Sequence, residues 1–430
     1  MKKYIAAMIM MLPVITQAQS GLMEKLKNRA KQKAEQRVVN KADKEMDKAL
    51  DGIENGAKGE PAKQTAPASK ENATPANETP SITAYSKYDF VPGERIIYAE
   101  DFSQDEIGEL PVGWNTGGKA ELVTLDAYPG KWLRLYQNAL YLTANKDTFS
   151  RNFTVEFDII LQLKHFPGYS YPQLSFGFLA SNELAPNDNQ LLEAKNMYQS
   201  TYVQVRPSEG GTSSTYLVSE LDRKKFFTSE TQNLAALEKY YHKVSHIAMQ
   251  AQGSRLRVWI NGEKKFDLPM ALPVQYMFNQ IFFNLQWSSL KDDQVGVYIG
   301  NIKVATGKPD TRHKLVEEGR FSTTGILFDV NAATIKPESA GVLKEVADVM
   351  KKFPDIKVKV IGHTDSDGAD AANLSLSQKR AAAVKQSLVS EYGIDASRIE
   401  SDGKGEKEPV GDNKTREGKA QNRRVEFIKQ

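Results

Sequence analysis

An aspartate and an arginine, fifteen residues apart, form the sharpest chemical pair in this sequence. Asp365 closes the run Gly362-His363-Thr364-Asp365, and Arg380 stands in the run Asn373–Ala381, NLSLSQKRA. The first run leaves the end of a strand pattern and the second opens a helix pattern. A carboxylate and a guanidinium are therefore expected at one edge of a sheet, where α/β folds put ligands. An arginine fork can bind a carboxylate through two parallel hydrogen bonds, where lysine is only a point charge. Placed in a first helical turn, it also shares unpaired N–H groups that favour an anion. The competing reading is that Asp365 and Arg380 simply pair with each other.

Other chemistry is thinner. His363 precedes Thr364 and Asp365, but the chain has only five histidines and no cysteine, so a hydrogen-bonding role is expected and no metal. Asp365-Ser366-Asp367-Gly368 has a calcium-loop look, yet the position for the bidentate acid holds Leu376. Glu156 and Asp158 stand two apart in NFTVEFDIIL. Laminarinase-like glycosidases carry such a pair plus a second glutamate further along the strand, and here Ile160 and Leu161 occupy those places. A wall-bound carbohydrate-active enzyme is the alternative to a binding protein, and the missing acid argues against it. No cofactor is expected.

The elements that must position these residues fall into two regions. Residues 90–306 hold all four tryptophans and many short alternating runs between turn residues, which predicts a β-sandwich. Asn261-Gly262, between RLRVWI and EKKFDL, is the strongest hairpin signal. Residues 311–430 alternate strand and helix and predict an α/β sandwich. Strands are expected at Gly325–Val330, Ile356–Ile361, Arg398–Ser401 and Arg424–Ile428, with helices at Pro337–Lys352 and Ser377–Tyr392.

The C-terminal region strongly resembles the OmpA-like peptidoglycan-binding family (the OmpA, MotB and Pal type). The resemblance is carried, in order, by FDVNAATIKPES, GHTD, NLSLSQKRA and DNKTREGKAQNRRVEF. It implies that the ligand is the diaminopimelate of an uncrosslinked peptidoglycan stem. It also implies that Asp365 takes the ammonium and Arg380 the carboxylate, with Asn373, Thr364 and Asp329 hydrogen-bonding around the stem. Arg423 matches the terminal NRR, in a partly structural role. Lys379 and Ala372 depart from commoner family residues without removing a charge pair. The region before it resembles concanavalin-like or laminin-G-like jelly rolls, on EDFSQDEIGELPVGW, NFTVEFDIIL, RLRVWINGEKKF and VGVYIGNIKVA. Its ligand, a glycan or an envelope protein, stays open. Tyr128, Trp132, Tyr136, Tyr169 and Tyr171 offer stacking faces for sugars unless they fill the core.

The remaining segments bear on location. Residues 1–18 read as an export signal, with Lys2 and Lys3 before an apolar run and Thr16-Gln17-Ala18 at the cleavage end. Residues 19–56 form a charged helical stretch, and 57–89 a Pro-, Ala- and Ser-rich flexible linker. The 57 basic and 54 acidic side chains nearly cancel, which argues against nucleic acid. No run in the mature chain is long and apolar enough to span a membrane. The expected site of action is the periplasm, on peptidoglycan and beside the outer membrane.

Overall fold

Alternation with a period of two organises residues 95–306. Along Asn152–Leu163, Phe153, Val155, Phe157, Ile159 and Leu161 point into one apolar core. Thr154, Glu156 and Asp158 take the opposite face, and they too are buried. A sheet face carrying two acids is ordinarily wet, so something covers it. The computed structural model describes residues 88–430 except 146, 165–167, 186, 194–198, 223 and 309, and the cover lies within them. The export signal, the charged helix and the linker up to residue 87 lie outside the described residues.

Two antiparallel sheets share this core. One runs in the spatial order 263–268, 255–260, 244–252, 152–163, 295–306, 128–135, 120–125, and Arg95–Glu100 also pairs with Val295–Thr306. The other runs 224–228, 214–221, 200–206, 174–179, 280–285, 139–142, 115–116, with 232–233 paired to 214–221. Neither closes into a barrel. Asn261 and Gly262 adopt φ of 50° and 78°, the left-handed pair that a two-residue hairpin requires.

The C-terminal sheet is mixed, in the order Arg320–Thr323, Val425–Lys429, Val358–His363, Ile399–Gly405. Its last two strands are parallel, so a crossover must join them, and the helix Asp370–Ser390 does so. With the helix Ala340–Lys352 it buries Val346, Val384 and Leu388 against Val358, Val360 and Phe427. Gly362 and Gly403, on the parallel strands, let the helix backbone come close. A Cβ at Gly362 collides with the Ser377 carbonyl, and one at Gly403 with Ser377 and Gln378. Gly362→Ala is therefore expected to destabilise the chain by about 1–3 kcal/mol, as overpacking does, in urea denaturation. An unchanged midpoint would show that the helix can retreat freely.

Three expectations change. Residues 325–330 form no strand, because their backbone is satisfied elsewhere. The Leu327 amide donates to Ser339 Oγ, Lys336 N to the Leu327 carbonyl and Asp329 N to the Thr334 carbonyl. The edge strand is Arg320–Thr323 instead. The second helix begins at Asp370, seven residues before Ser377, because Asp370-Ala-Ala-Asn carries no breaker. Arg380 thus lies near the middle of the helix and takes nothing from the N–H groups of its first turn. Finally, residues 88 and 89 are not linker. Tyr88 and Phe90 pack on Trp259, and Asp89 accepts from Trp259 Nε1 at 3.0 Å.

The segment 88–93 and the C-terminal domain together cover the acid-bearing sheet face. Gly93 N donates to Thr154 Oγ1, and a Cβ at Gly341 collides with Phe90 backbone. The short helix Arg416–Asn422 lies against the strand Arg95–Glu100. There Gln421 Oε1 accepts from Ile96 N and Glu417 Oε1 from Ala99 N, which caps the strand's free edge. Ala420 packs among Ile96, Ala99 and Ala305. Arg416 Nη1 reaches Glu100 Oε2 at 2.7 Å, and its Nη2 binds Asp105.

Candidate functional site

Asp365 sits just past the strand Val358–His363, where the loop turns back toward the helix. Its Oδ1 accepts from Asp367 N at 3.1 Å, and its Oδ2 meets Arg423 Nη1 at 2.5 Å. Asp365 therefore pairs with Arg423 and not, as the competing reading had it, with Arg380. Arg423 also has Nη2 3.9 Å from Asp101 Oδ2, on the two-sheet domain.

Arg380 makes no ion pair among the described residues. Its Nε donates to the Ala332 carbonyl at 2.9 Å, its Nη2 lies 3.5 Å from the Asp329 carbonyl, and its guanidinium lies over the Phe328 ring. The platform fixes the plane of the fork. Burial, and then the charge of Arg423, pull the Arg380 pKa below its ordinary value, while Asp365 pulls it up. An arginine guanidinium starts so basic that the group stays charged.

Asn373 is buried and structural in its contacts. Its Nδ2 donates to Glu406 Oε2 at 2.6 Å and to the Asp367 carbonyl at 3.1 Å, and so braces the loop that carries Asp365. Thr364 is buried with its Oγ1 unpartnered among the described residues. Asp329 is exposed and reaches Arg380 through its carbonyl alone. All six side chains singled out in the sequence line one cavity of about 470 Å³.

The two-sheet domain supplies the other wall of that cavity, through Asp101, Asp158, His246, Asn301 and Lys303, which the sequence did not reveal. A signal was present. Glu156 and Asp158 are acids on an otherwise apolar strand, and the pairing strands bring His246 and Lys303 beside them. Glu156 holds Lys303 Nζ at 2.8 Å, and Asp158 Oδ1 holds His246 Nδ1 at 2.7 Å. Burial raises the Glu156 pKa, but Lys303 and His246 outweigh it and bring it down to about 2. A carboxyl so ionised does not serve as a general acid. Two of the proposed stacking residues, Trp132 and Tyr136, are buried, so neither presents a face to a sugar. Tyr169 stays exposed. His242 and His246 are four apart, but His242 Nε2 turns to the Leu163 carbonyl, and among the described residues no cluster of acids and histidines could hold a metal.

Residues 327–423 match the OmpA family. Over 102 residues the chain is 50% identical to the probable lipoprotein YiaD of Escherichia coli, covering 24% of this chain and 46% of that one. Over 103 residues it is 38% identical to the peptidoglycan-binding protein ArfA of Mycobacterium tuberculosis, covering 24% and 31%. The chain thus spans less than half the length of either relative. The crystal structure of the peptidoglycan-associated lipoprotein from Burkholderia pseudomallei is 30% identical, over 25% of this chain and 89% of that one, with a TM-score of 0.23.

Proposed function

We propose that the C-terminal domain, an OmpA-family domain, holds this envelope protein to peptidoglycan non-covalently by gripping the diaminopimelate of an uncrosslinked stem peptide. The observation that carries this reading is Arg380. Its guanidinium is half-buried and flattened on Phe328, without a carboxylate partner among the described residues, in a cavity that Asp365 also lines. The free end of diaminopimelate has an ammonium and a carboxylate on one carbon. Asp365 takes the ammonium, with Arg423 sharing its second oxygen, and Arg380 takes the carboxylate. Thr364 hydrogen-bonds to the stem, while Asn373 and the Asp329 carbonyl hold the loop and the fork in place.

The C-terminal domain, residues 311–430, supplies the residues of this grip on diaminopimelate. Residues 90–306 are read as a concanavalin-like jelly roll that the wall-bound protein presents to a glycan or to another envelope protein. The reading assigns no catalysis. It places the protein in the periplasm beside the outer membrane, in keeping with relatives named as envelope proteins.

The test uses the full chain and purified sacculi. Co-sedimentation is expected, with release by free meso-diaminopimelate. Arg380→Lys keeps the charge but loses the fork, and is expected to weaken binding about tenfold or more. Sedimentation untouched by both the competitor and the substitution would overturn the assignment.

A further inference from the structure

The polar atoms on the two-sheet wall of the cavity are unequally satisfied. Its buried acid is fully engaged: Asp158 accepts from His246 Nδ1 at 2.7 Å and from Asn301 Nδ2 at 2.8 Å. Two of the unpartnered atoms in the cavity are donors, beside the Oε2 of Glu338 on the facing domain. His246 Nε2, and Arg424 Nη1 on the facing domain, make no hydrogen bond among the described residues. Yet the His246 side chain is only 8% exposed and that of Arg424 only 1%. The Nε2 atom lies 3.8 Å from Glu156 Oε1, beyond hydrogen-bonding reach. Both residues line the cavity that holds Asp365 and Arg380. Buried donors in folded proteins nearly always meet an acceptor.

We propose that His246, aimed by Asp158, forms a second subsite in this cavity and takes a carboxylate of the stem peptide other than that of diaminopimelate. The proposal rests on the reading of the cavity as a peptidoglycan site and goes beyond it, since it gives the two-sheet domain part of the ligand. Its chemistry follows from the donors. Burial lowers the His246 pKa, but the hydrogen bond to Asp158 and the charges of Asp158 and nearby Glu156 outweigh it and carry it up to about 9. The ring is an imidazolium at neutral pH, with hydrogen on both nitrogens. Arg424 is already paired with Glu426 through Nε and Nη2, both at 2.8 Å, so only its Nη1 is left to a ligand. A carboxylate accepts from Nη1–H and from the His246 Nε2–H through charge-assisted hydrogen bonds, about twice as strong as those a neutral carbonyl makes. Asn301, at φ 52°, holds the second oxygen of Asp158 and so fixes the carboxylate that orients the ring.

The experiment titrates the full chain with three probes. They are free meso-diaminopimelate, the tripeptide L-Ala-γ-D-Glu-meso-diaminopimelate, and the same tripeptide with its glutamyl α-carboxylate amidated. The unsubstituted protein is expected to bind the acid tripeptide about tenfold more tightly than the amidated one, the scale of one charge-assisted hydrogen bond. His246→Asn keeps an amide where Nδ1 stands and deletes Nε2–H. It is expected to bind both tripeptides alike, with its affinity for free diaminopimelate held within about twofold. Asn301→Gly, which preserves the backbone at a surface position, provides a second variant and is expected to narrow the preference. Equal binding of the two tripeptides by the unsubstituted protein, or a preference kept intact in His246→Asn, overturns the subsite and leaves the diaminopimelate reading standing. A protein that binds none of the three probes overturns both.

Discussion

The full chain carrying Asp365→Ala together with Arg380→Ala is expected to stay in the supernatant when sacculi are spun down, with its circular dichroism unchanged. Removing one partner of a desolvated charge pair costs about 2–5 kcal/mol of binding, or roughly thirty-fold and upward for each residue. The geometry adds a reason that both should matter. Asp365 is already paired with Arg423 at 2.5 Å, so the ammonium joins an organised carboxylate and need not order one. Arg380 is held by two backbone carbonyls and the Phe328 ring, so its fork is preorganised and little entropy is lost on binding. Survival of the fold follows from the same contacts. Arg380 has no ion pair to break among the described residues. Arg423, left behind by Asp365→Ala, is 40% exposed and can turn to water, so the loss of that bridge costs stability little. A folded double variant that sediments with the wall as the parent does would remove Asp365 and Arg380 from the site.

The C-terminal domain was legible because its positions answer to local rules. Val358–His363 alternates, Gly393 sits beyond the second helix, and the charged pair flanks a strand end and a helix. The helix start was misplaced because Ala369 and Asp370 give no strong capping signal, and Ala369 makes no side-chain cap in the structure. The strand at 325–330 failed for a different reason. Ile326 is buried as expected and Leu327 and Phe328 partly so, but Val330 is exposed, Ser339 and a local turn satisfy the backbone, and no periodicity records that choice. What the sequence could not give was the second wall. Asp158 and His246 are 88 residues apart and meet only because the strands 152–163 and 244–252 pair. Their burial depends on a further domain folding over them, which leaves no trace in either strand except acids where solvent-facing residues were expected. Asp365 pairing with Arg423 was hidden likewise, since 58 residues separate them.

Arg416 is the residue whose loss should cost the fold most. It reaches from the helix Arg416–Asn422 to Glu100 and Asp105 on the two-sheet domain, whose side chains are 0% and 2% exposed. Breaking a buried pair by removing one partner typically costs about 3–5 kcal/mol, because the charge left behind is stranded away from water. Here two carboxylates are stranded at once. Exposed pairs behave differently: Lys344 and Asp348, 2.6 Å apart on a helix surface and about half exposed, make Lys344→Ala a control with little expected effect. The pH dependence has a definite sign. Burial pushes Glu100 up to about 7 even with Arg416 beside it, and Arg416 and the Phe102 amide restrain the rise. A carboxyl whose folded pKa lies above its unfolded value binds more protons folded than unfolded, so its contribution to stability falls as pH rises from about 4.5 through 7. Without Arg416 the restraint is gone and the folded pKa climbs further. The gap in unfolding free energy between the parent and Arg416→Ala should therefore be widest near pH 8 and narrow toward pH 5, where protonation neutralises the stranded Glu100. Urea denaturation across that range measures it. A gap that stays flat with pH, or no larger than that of Lys344→Ala, would mean that the joint between the domains is held by Ala420, Gln421 and Glu417 without help from this ion pair.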